Sequence, residues 1–265
     1  MSIFEALILG IVQGISEFLP ISSSGHLVVL QRVFGMDEDM LTFDIFVHVG
    51  SLVAILVVFW RDVWELIKKP ICKMNGLLII GTIPMIITGL FLRDLVRGRF
   101  FDSGLWLVAA FTITGVVLFI TDKFKEPTKE VSDITWKDAL FVGCMQALAL
   151  PPGISRSGMT IVGALSRGIR RDVAANFSFM LAIIAIAGVG FVEALELASG
   201  RVTIENIGAL PLVFGAVSSA LVGYLAIHLL LKLIKACKLK YFSYYVWGLA
   251  GLVLLDAVVL RLFFY

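Results

Sequence analysis

Polar residues in this chain gather in short intervals between long apolar runs. Runs of spanning length recur at about 43–60, 76–92, 104–121, 172–198, 206–231 and 243–264. Each approaches the roughly 20 residues that a transmembrane helix needs and far exceeds the length of a barrel strand. Because only helices or closed barrels satisfy the backbone in lipid, the pattern predicts an all-α polytopic membrane protein with six spans. Two further apolar stretches, 3–34 and 138–166, are interrupted by Pro, Gly and Ser and do not read as spans.

Lys and Arg cluster at 61–73, 123–137, 167–171 and 232–240. The positive-inside rule assigns all four intervals to the cytoplasmic face. Segment 138–166 lies between the second and third clusters, so it must enter and leave on one face. That predicts a re-entrant helical hairpin broken at Pro151-Pro152-Gly153. Span 43–60 ends in the cytoplasm, so segment 3–34 must dip in from outside. Each half then holds one hairpin and three spans. An odd number of spans inverts the second half, giving an inverted-topology repeat of 1–133 and 134–265 within one membrane domain. Arg93, Arg97 and Arg99 fall on the expected outer side and disagree with the rule.

The two interrupted stretches share a phrase. Gly10, Gln13, Ile21, Ser22, Ser24 and Gly25 recur 133 residues later as Gly143, Gln146, Ile154, Ser155, Ser157 and Gly158. In each copy a helix restarts after the break, and a helix N-terminus carries unpaired N–H groups and a partial positive charge that favour an anion. Ser22, Ser23, Ser24, Ser155 and Ser157 add hydroxyls there, and Gly25 and Gly158 allow close backbone approach. A serine at such a place also caps its helix or packs between helices. Arg156 is harder to explain as scaffold, since a guanidinium in an apolar hairpin costs about 2.5–3.5 kcal/mol on insertion scales. Its planar fork suits phosphate oxygens.

The copies differ where reactive groups would sit. Gln13 and Glu17 share a face one turn before the first break, whereas Leu150 stands opposite Glu17 in the second copy. His26 is matched by Met159. His26 is a candidate nucleophile, or a base for Ser23 or water. Asp44 and His48, four residues apart at the start of the next span, are candidates to orient His26 or to help Glu17 hold a metal.

Composition agrees with the pattern: 59% apolar and 16% charged residues, with a mean hydropathy of +0.98, lie outside the range of soluble domains. The net charge of +2 reflects loop composition and gives no reason to expect nucleic acid. Cys72, Cys144 and Cys237 lack paired spacing, so neither a disulfide framework nor a zinc site is expected. No Lys or Arg precedes the first apolar stretch, which argues against a cleaved signal peptide. The small residues from Gly215 to Gly223 suit a homodimer contact or packing within one chain.

The segments Gln13-Gly-Ile-Ser-Glu17-Phe-Leu-Pro20-Ile-Ser22-Ser23-Ser24-Gly25-His26 and Pro152-Gly153-Ile154-Ser155-Arg156-Ser157-Gly158-Met159-Thr160 resemble the two signatures of the undecaprenyl-diphosphate phosphatase family, the bacitracin-resistance type of integral-membrane phosphatase. Asn176-Phe177-Ser178-Phe179-Met180-Leu181 is similar to a third segment of that family. The resemblance implies removal of the terminal phosphate from undecaprenyl diphosphate at the outer face of the bacterial cytoplasmic membrane, which recycles the lipid carrier of peptidoglycan synthesis. It implies Glu17, His26, Ser23 and Arg156 as catalytic residues, and Gln13, Ser22, Ser24, Gly25, Ser155, Ser157, Gly158 and Thr160 as substrate-binding ones. Many family members have Glu where this chain has Gln13, which leaves acid–base work to Glu17. Two phosphates invite a Mg²⁺ or Ca²⁺ ion shared with the substrate, with Glu17, Asp44 and His48 as protein ligands; no organic cofactor is expected. The rival reading is a lipid-phosphate carrier using the same cradle, since broken helices in inverted repeats also build transporters.

Overall fold

The computed structural model describes residues 1–36, 40–99, 103–124, 126–199, 207–236 and 239–264, without the side chains of 92–99, 122, 193, 197, 198 and 235. The side chains of Arg93, Arg97 and Arg99 therefore lie outside the described residues. The helices are α1 (Ile3–Phe18), α2 (Ser23–Val33), α3 (Leu41–Val58), α4 (Trp60–Lys68), α5 (Lys73–Arg99), α6 (Gly104–Phe119), α7 (Trp136–Leu148), α8 (Arg156–Ser166), α9 (Arg171–Ala198), α10 (Ala209–Lys235) and α11 (Lys240–Leu255). Among the described residues there is no β-strand, only an isolated bridge between Lys129 and Ile169.

Among the described residues, five helical segments are long and apolar enough to cross a membrane: Leu41–Val58, Lys73–Phe91, Arg171–Glu196, Ala209–Ile234 and Lys240–Leu260. The sixth expected span, 104–121, is the 16-residue α6, which rises only about 24 Å at 1.5 Å per residue. It tightens into a 3₁₀ turn at Ile120–Lys123 before the chain leaves it. Large apolar side chains face outward on several spans, among them Leu90 and Phe91 on α5, Leu225 on α10 and Leu252 on α11. Such a surface suits lipid and not water. The chain is a multi-pass membrane protein.

Interval 61–73, read from its charges as a loop, begins instead as α4. Its apolar face carries Trp60, Trp64 and Ile67, all exposed, and Lys68 lies over the Trp64 ring at 5.3 Å. A short helix that carries exposed Trp rings with a Lys over one of them lies naturally in a membrane interface, the rings at headgroup level and the ammonium reaching water.

The first helix of each interrupted stretch begins the same way. Ser2 and Glu5 form a reciprocal capping box at α1, and Thr135 and Asp138 form another at α7. The two boxes stand 133 positions apart, matching the spacing of the doubled phrase. Each pair of orphan N–H groups is thereby satisfied, which fixes where the helix starts. Asp138 is fully buried and also accepts from Lys129 Nζ at 3.1 Å and Arg167 Nε at 2.8 Å.

The long helices cross between the two halves. α1 packs on α10 and α7 packs on α5, while α6 lies along α11 and α3 touches α9. Close approach rests on glycine: a Cβ at Gly10 would come 2.3 Å from the Gly215 carbonyl oxygen, and one at Gly143 would come 2.3 Å from that of Gly81. Gly215 and Gly223 pack inside the chain, against Phe43 and Phe18 respectively. The small residues weighed for a homodimer are thus used within one chain. Phe18, Phe111, Phe177 and Phe179 fill the interior beside the hairpins.

Candidate functional site

The two breaks meet. α1 ends at Phe18 and α2 restarts at Ser23, while α7 ends at Leu148 and α8 restarts at Arg156. Pro20, Pro151 and Pro152 remove the N–H groups that would continue a helix. Gly153 turns the second break at a φ of 89°, a conformation that favours glycine. The first break is turned by Ser22 at a φ of 73°. A non-glycine residue there is uncommon, and such strain gathers at functional sites.

Each restart is built alike. Ser22 Oγ accepts the Gly25 N–H at 3.3 Å and lies 3.4 Å from Ser24 Oγ. Ser155 Oγ accepts the Gly158 N–H at 3.1 Å and lies 3.2 Å from Ser157 Oγ. The outer serines then cross to the opposite break: Gly153 N–H donates to Ser24 Oγ at 3.3 Å, and Ser157 Oγ donates to the Leu19 carbonyl at 3.1 Å. The two helix N-termini are thus locked tip to tip by their own hydroxyls.

Glu17 is the hub where the halves join. Its side chain is 3% exposed. Oε1 takes the Arg156 guanidinium, and Oε2 takes the Ser23 hydroxyl at 2.5 Å and the Gln13 amide at 3.1 Å. His48 Nε2 stands 3.9 Å from Oε2. A carboxylate this deep requires such donors, because an unpaired buried charge is prohibitively costly. Gln13 also reaches Ser51 Oγ at 3.4 Å, and Ser51 pairs with Ser219 at 2.9 Å. The amide oxygen of Gln13 and both polar atoms of Gln146 are buried without a partner.

Several expectations change. His26 does not bond Glu17, Asp44 or His48. Its Nδ1–H donates to the Ser22 carbonyl at 2.6 Å, and its Nε2 meets the Tyr245 hydroxyl at 2.8 Å. His48 donates from Nδ1 to the Asp44 carbonyl at 2.6 Å, while the Asp44 carboxylate accepts from Gln31 at 3.0 Å. Among the described residues no three His, Cys, Asp or Glu side chains gather as a metal site. Of the expected set Glu17, Asp44 and His48, the side chains of Glu17 and His48 face one another. Thr160 turns its hydroxyl back to the carbonyls of Arg156 and Ser157, a helix back-bond that points away from the cradle.

Sequence reasoning missed Ser51, Ser219, Thr114 and Tyr245. Thr114 accepts the Ser155 N–H at 3.1 Å and donates to the Gly153 carbonyl, fastening the second break to α6. Ser51 carried a signal, lying three residues past His48 on the same helical face. Tyr245 carried none, because an aromatic in an apolar helix resembles any other lipid-facing ring.

A family model described as bacitracin resistance protein BacA matches residues 6–252, a stretch that includes both breaks. The chain belongs to this family. A relative from Carboxydothermus hydrogenoformans named undecaprenyl-diphosphatase is 44% identical over 254 residues, covering 96% of this chain and 97% of its own. Undecaprenyl-diphosphatase 3 of Bacillus cereus is 42% identical over 259 residues, with 96% and 97% covered. A third relative, the undecaprenyl-diphosphatase of Alkaliphilus metalliredigens, is 39% identical over 281 residues, covering 98% of this chain and all of its own. In this chain both breaks present a serine-capped helix start, and only the first carries a buried carboxylate.

Proposed function

We propose that this chain hydrolyses undecaprenyl diphosphate to undecaprenyl phosphate and inorganic phosphate, returning a carrier lipid to peptidoglycan synthesis and so conferring bacitracin resistance. The observation that carries the reading is the convergence of Arg156, Ser23 and Glu17 at two crossed helix N-termini. Arg156 and the tip amides would hold the phosphate oxygens and balance the charge that grows on them in the transition state. Entering phosphate competes with Glu17 for the guanidinium. Glu17, already hydrogen-bonded to the Ser23 hydroxyl, is placed to take its proton as that oxygen attacks the terminal phosphorus, breaking the bridging P–O bond so that undecaprenyl phosphate leaves and the phosphoryl group stays on Ser23. His26 Nε2, on the same face of α2 as Ser23, serves as base for the water that completes hydrolysis.

The hairpins would dip into the bilayer from opposite faces, with 1–133 and 134–265 as inverted halves of one domain. The matched capping boxes and the matched glycine contacts of α1 with α10 and α7 with α5 support this arrangement. The site would then open to the outer face of a bacterial cytoplasmic membrane, where the first hairpin enters. A Mg²⁺ or Ca²⁺ ion shared with the diphosphate would take oxygens from the phosphates and from Glu17, with His48 Nε2 the poorer-suited second protein donor. The Nδ1–H of His48 is fixed by a backbone carbonyl, which turns its Nε2 lone pair towards Glu17. Such an ion would neutralise phosphate charge.

Phosphate release from undecaprenyl diphosphate by purified protein in detergent tests the reading. Turnover in the wild type and its loss in Arg156→Ala support it; equal turnover in both sinks it. Flipping of labelled lipid in sealed vesicles, with no phosphate release, would establish the carrier reading instead.

A further inference from the structure

We infer that Tyr245 is the positioning residue for His26, holding its reactive nitrogen until substrate takes the nitrogen over. This rests on the proposed role of His26 as a base. The Ser22 carbonyl, which also takes the His26 backbone N–H at 3.3 Å, accepts from His26 Nδ1 at 2.6 Å. A neutral ring so fixed carries its lone pair on Nε2. The hydroxyl of Tyr245, on the last long helix of the other half, donates to that lone pair at 2.8 Å.

The rings are locked as well as bonded. His26 and Tyr245 lie parallel, with centroids 5.6 Å apart and planes 6° from one another. Phe111 of α6 meets the imidazole edge-on, at 5.6 Å and 78°. Gly25 makes room for that contact, since a Cβ there would stand 2.6 Å from Phe111 Cζ. Three separate elements therefore fix one imidazole, as a base that must point at a reacting oxygen requires.

Tyr245 differs from the other two walls of this seat. It is 50% exposed, whereas Phe111 is fully buried. Its ring can leave His26 without opening the core, and Nε2 then faces whatever has entered beside Ser23. Tyr245 thus orients the base and yields its place to water or a phosphate oxygen.

Tyr245→Phe keeps the stacked ring and deletes only the hydroxyl. The expected result is a fall in kcat of about tenfold, equivalent to about 1.4 kcal/mol. KM should stay within about twofold and the melting temperature in detergent should not change. Tyr244→Phe, whose parent ring packs on Phe119, is the control and should leave all three alone. Unchanged kcat, a change confined to KM, or a melting temperature that falls with kcat would each overturn the inference. A second readout needs no turnover. In protein labelled with ¹⁵N-histidine, the Nε2 resonance that disappears in His26→Gln should shift in Tyr245→Phe, and an unmoved resonance also overturns it. A wild type that releases no phosphate would instead overturn the hydrolytic reading, leaving the resonance test of the His26–Tyr245 contact intact.

Discussion

Arg156 and Glu17 do two jobs, and a double-mutant cycle separates them. Removing one partner of a buried pair costs about 3–5 kcal/mol, because the other charge is left uncompensated. Here the figure should fall at or below the lower end of that range. The Arg156 side chain is 20% exposed, and Glu17 keeps the Ser23 and Gln13 donors when the guanidinium is gone. Arg156→Ala should therefore lose about 2–3 kcal/mol, or roughly 5–10 °C in melting temperature for a chain of this size. Adding Glu17→Gln removes the stranded charge while keeping the shape, so the double variant should melt above Arg156→Ala alone. Activity should not follow. Phosphate release should fall by about 10³-fold or more in Arg156→Ala, the range for an arginine facing a transferring phosphoryl group, and stay lost in the double variant. Thermal melts in detergent and a phosphate-release assay give both axes. A double variant that melts no higher than Arg156→Ala would refute the stranded-charge argument. One that regains turnover would refute the catalytic one.

Two further outcomes follow from the geometry. Gly25→Ala should abolish most activity with only modest loss of fold, since the new methyl would strike Phe111 and the backbone of Gly153 where the breaks meet; near-normal turnover would show that the tips need not be this close, as measured by phosphate release beside a thermal melt. Asp138 is the subject of a pH test. Burial pushes its carboxyl pKa up, but the Thr135 N–H and hydroxyl, then Arg167 and Lys129, outweigh that and hold it well below its ordinary value of 3.8. A group depressed in the fold stabilises above its unfolded pKa and loses that contribution as pH falls through the folded one. The melting temperature should accordingly decline as pH drops below about 4, and Asp138→Asn should melt lower at neutral pH with a flatter acid limb. Parallel acid limbs in the two proteins would contradict this assignment.

How much of this was legible in the sequence depends on which force places each residue. Burial of apolar surface in lipid is written in composition, so α3, α9 and α10 fall within a few residues of the apolar runs, while α5 overruns its run at the C-terminal end and α11 stops short of the end of its own. The helix breaks were legible because Pro and Gly act on the backbone locally. Glu17 and Arg156 were each legible as site residues, but their pairing is visible only in the structure. What escaped was set by tertiary geometry. α4 hides an amphipathic period beneath charges that look like a loop. Asp44 shares a helical face with His48, yet its carboxylate is drawn to Gln31 instead. Thr160 satisfies its hydroxyl on its own helix, a choice that motif membership does not reveal. The distance between His26 and Glu17 in the chain gave no hint that His26 turns to α11 and that His48 takes the place beside Glu17.

The central claim is that a diphosphate sits where the two helix N-termini cross. A crystal structure with a non-hydrolysable methylene-diphosphonate bearing a prenyl chain tests it most directly. The expected result places the terminal phosphonate within hydrogen-bond distance of the Arg156 guanidinium and the Ser23 hydroxyl, with Arg156 drawn off Glu17. A diphosphonate bound elsewhere, with the Arg156–Glu17 pair intact, would contradict the account.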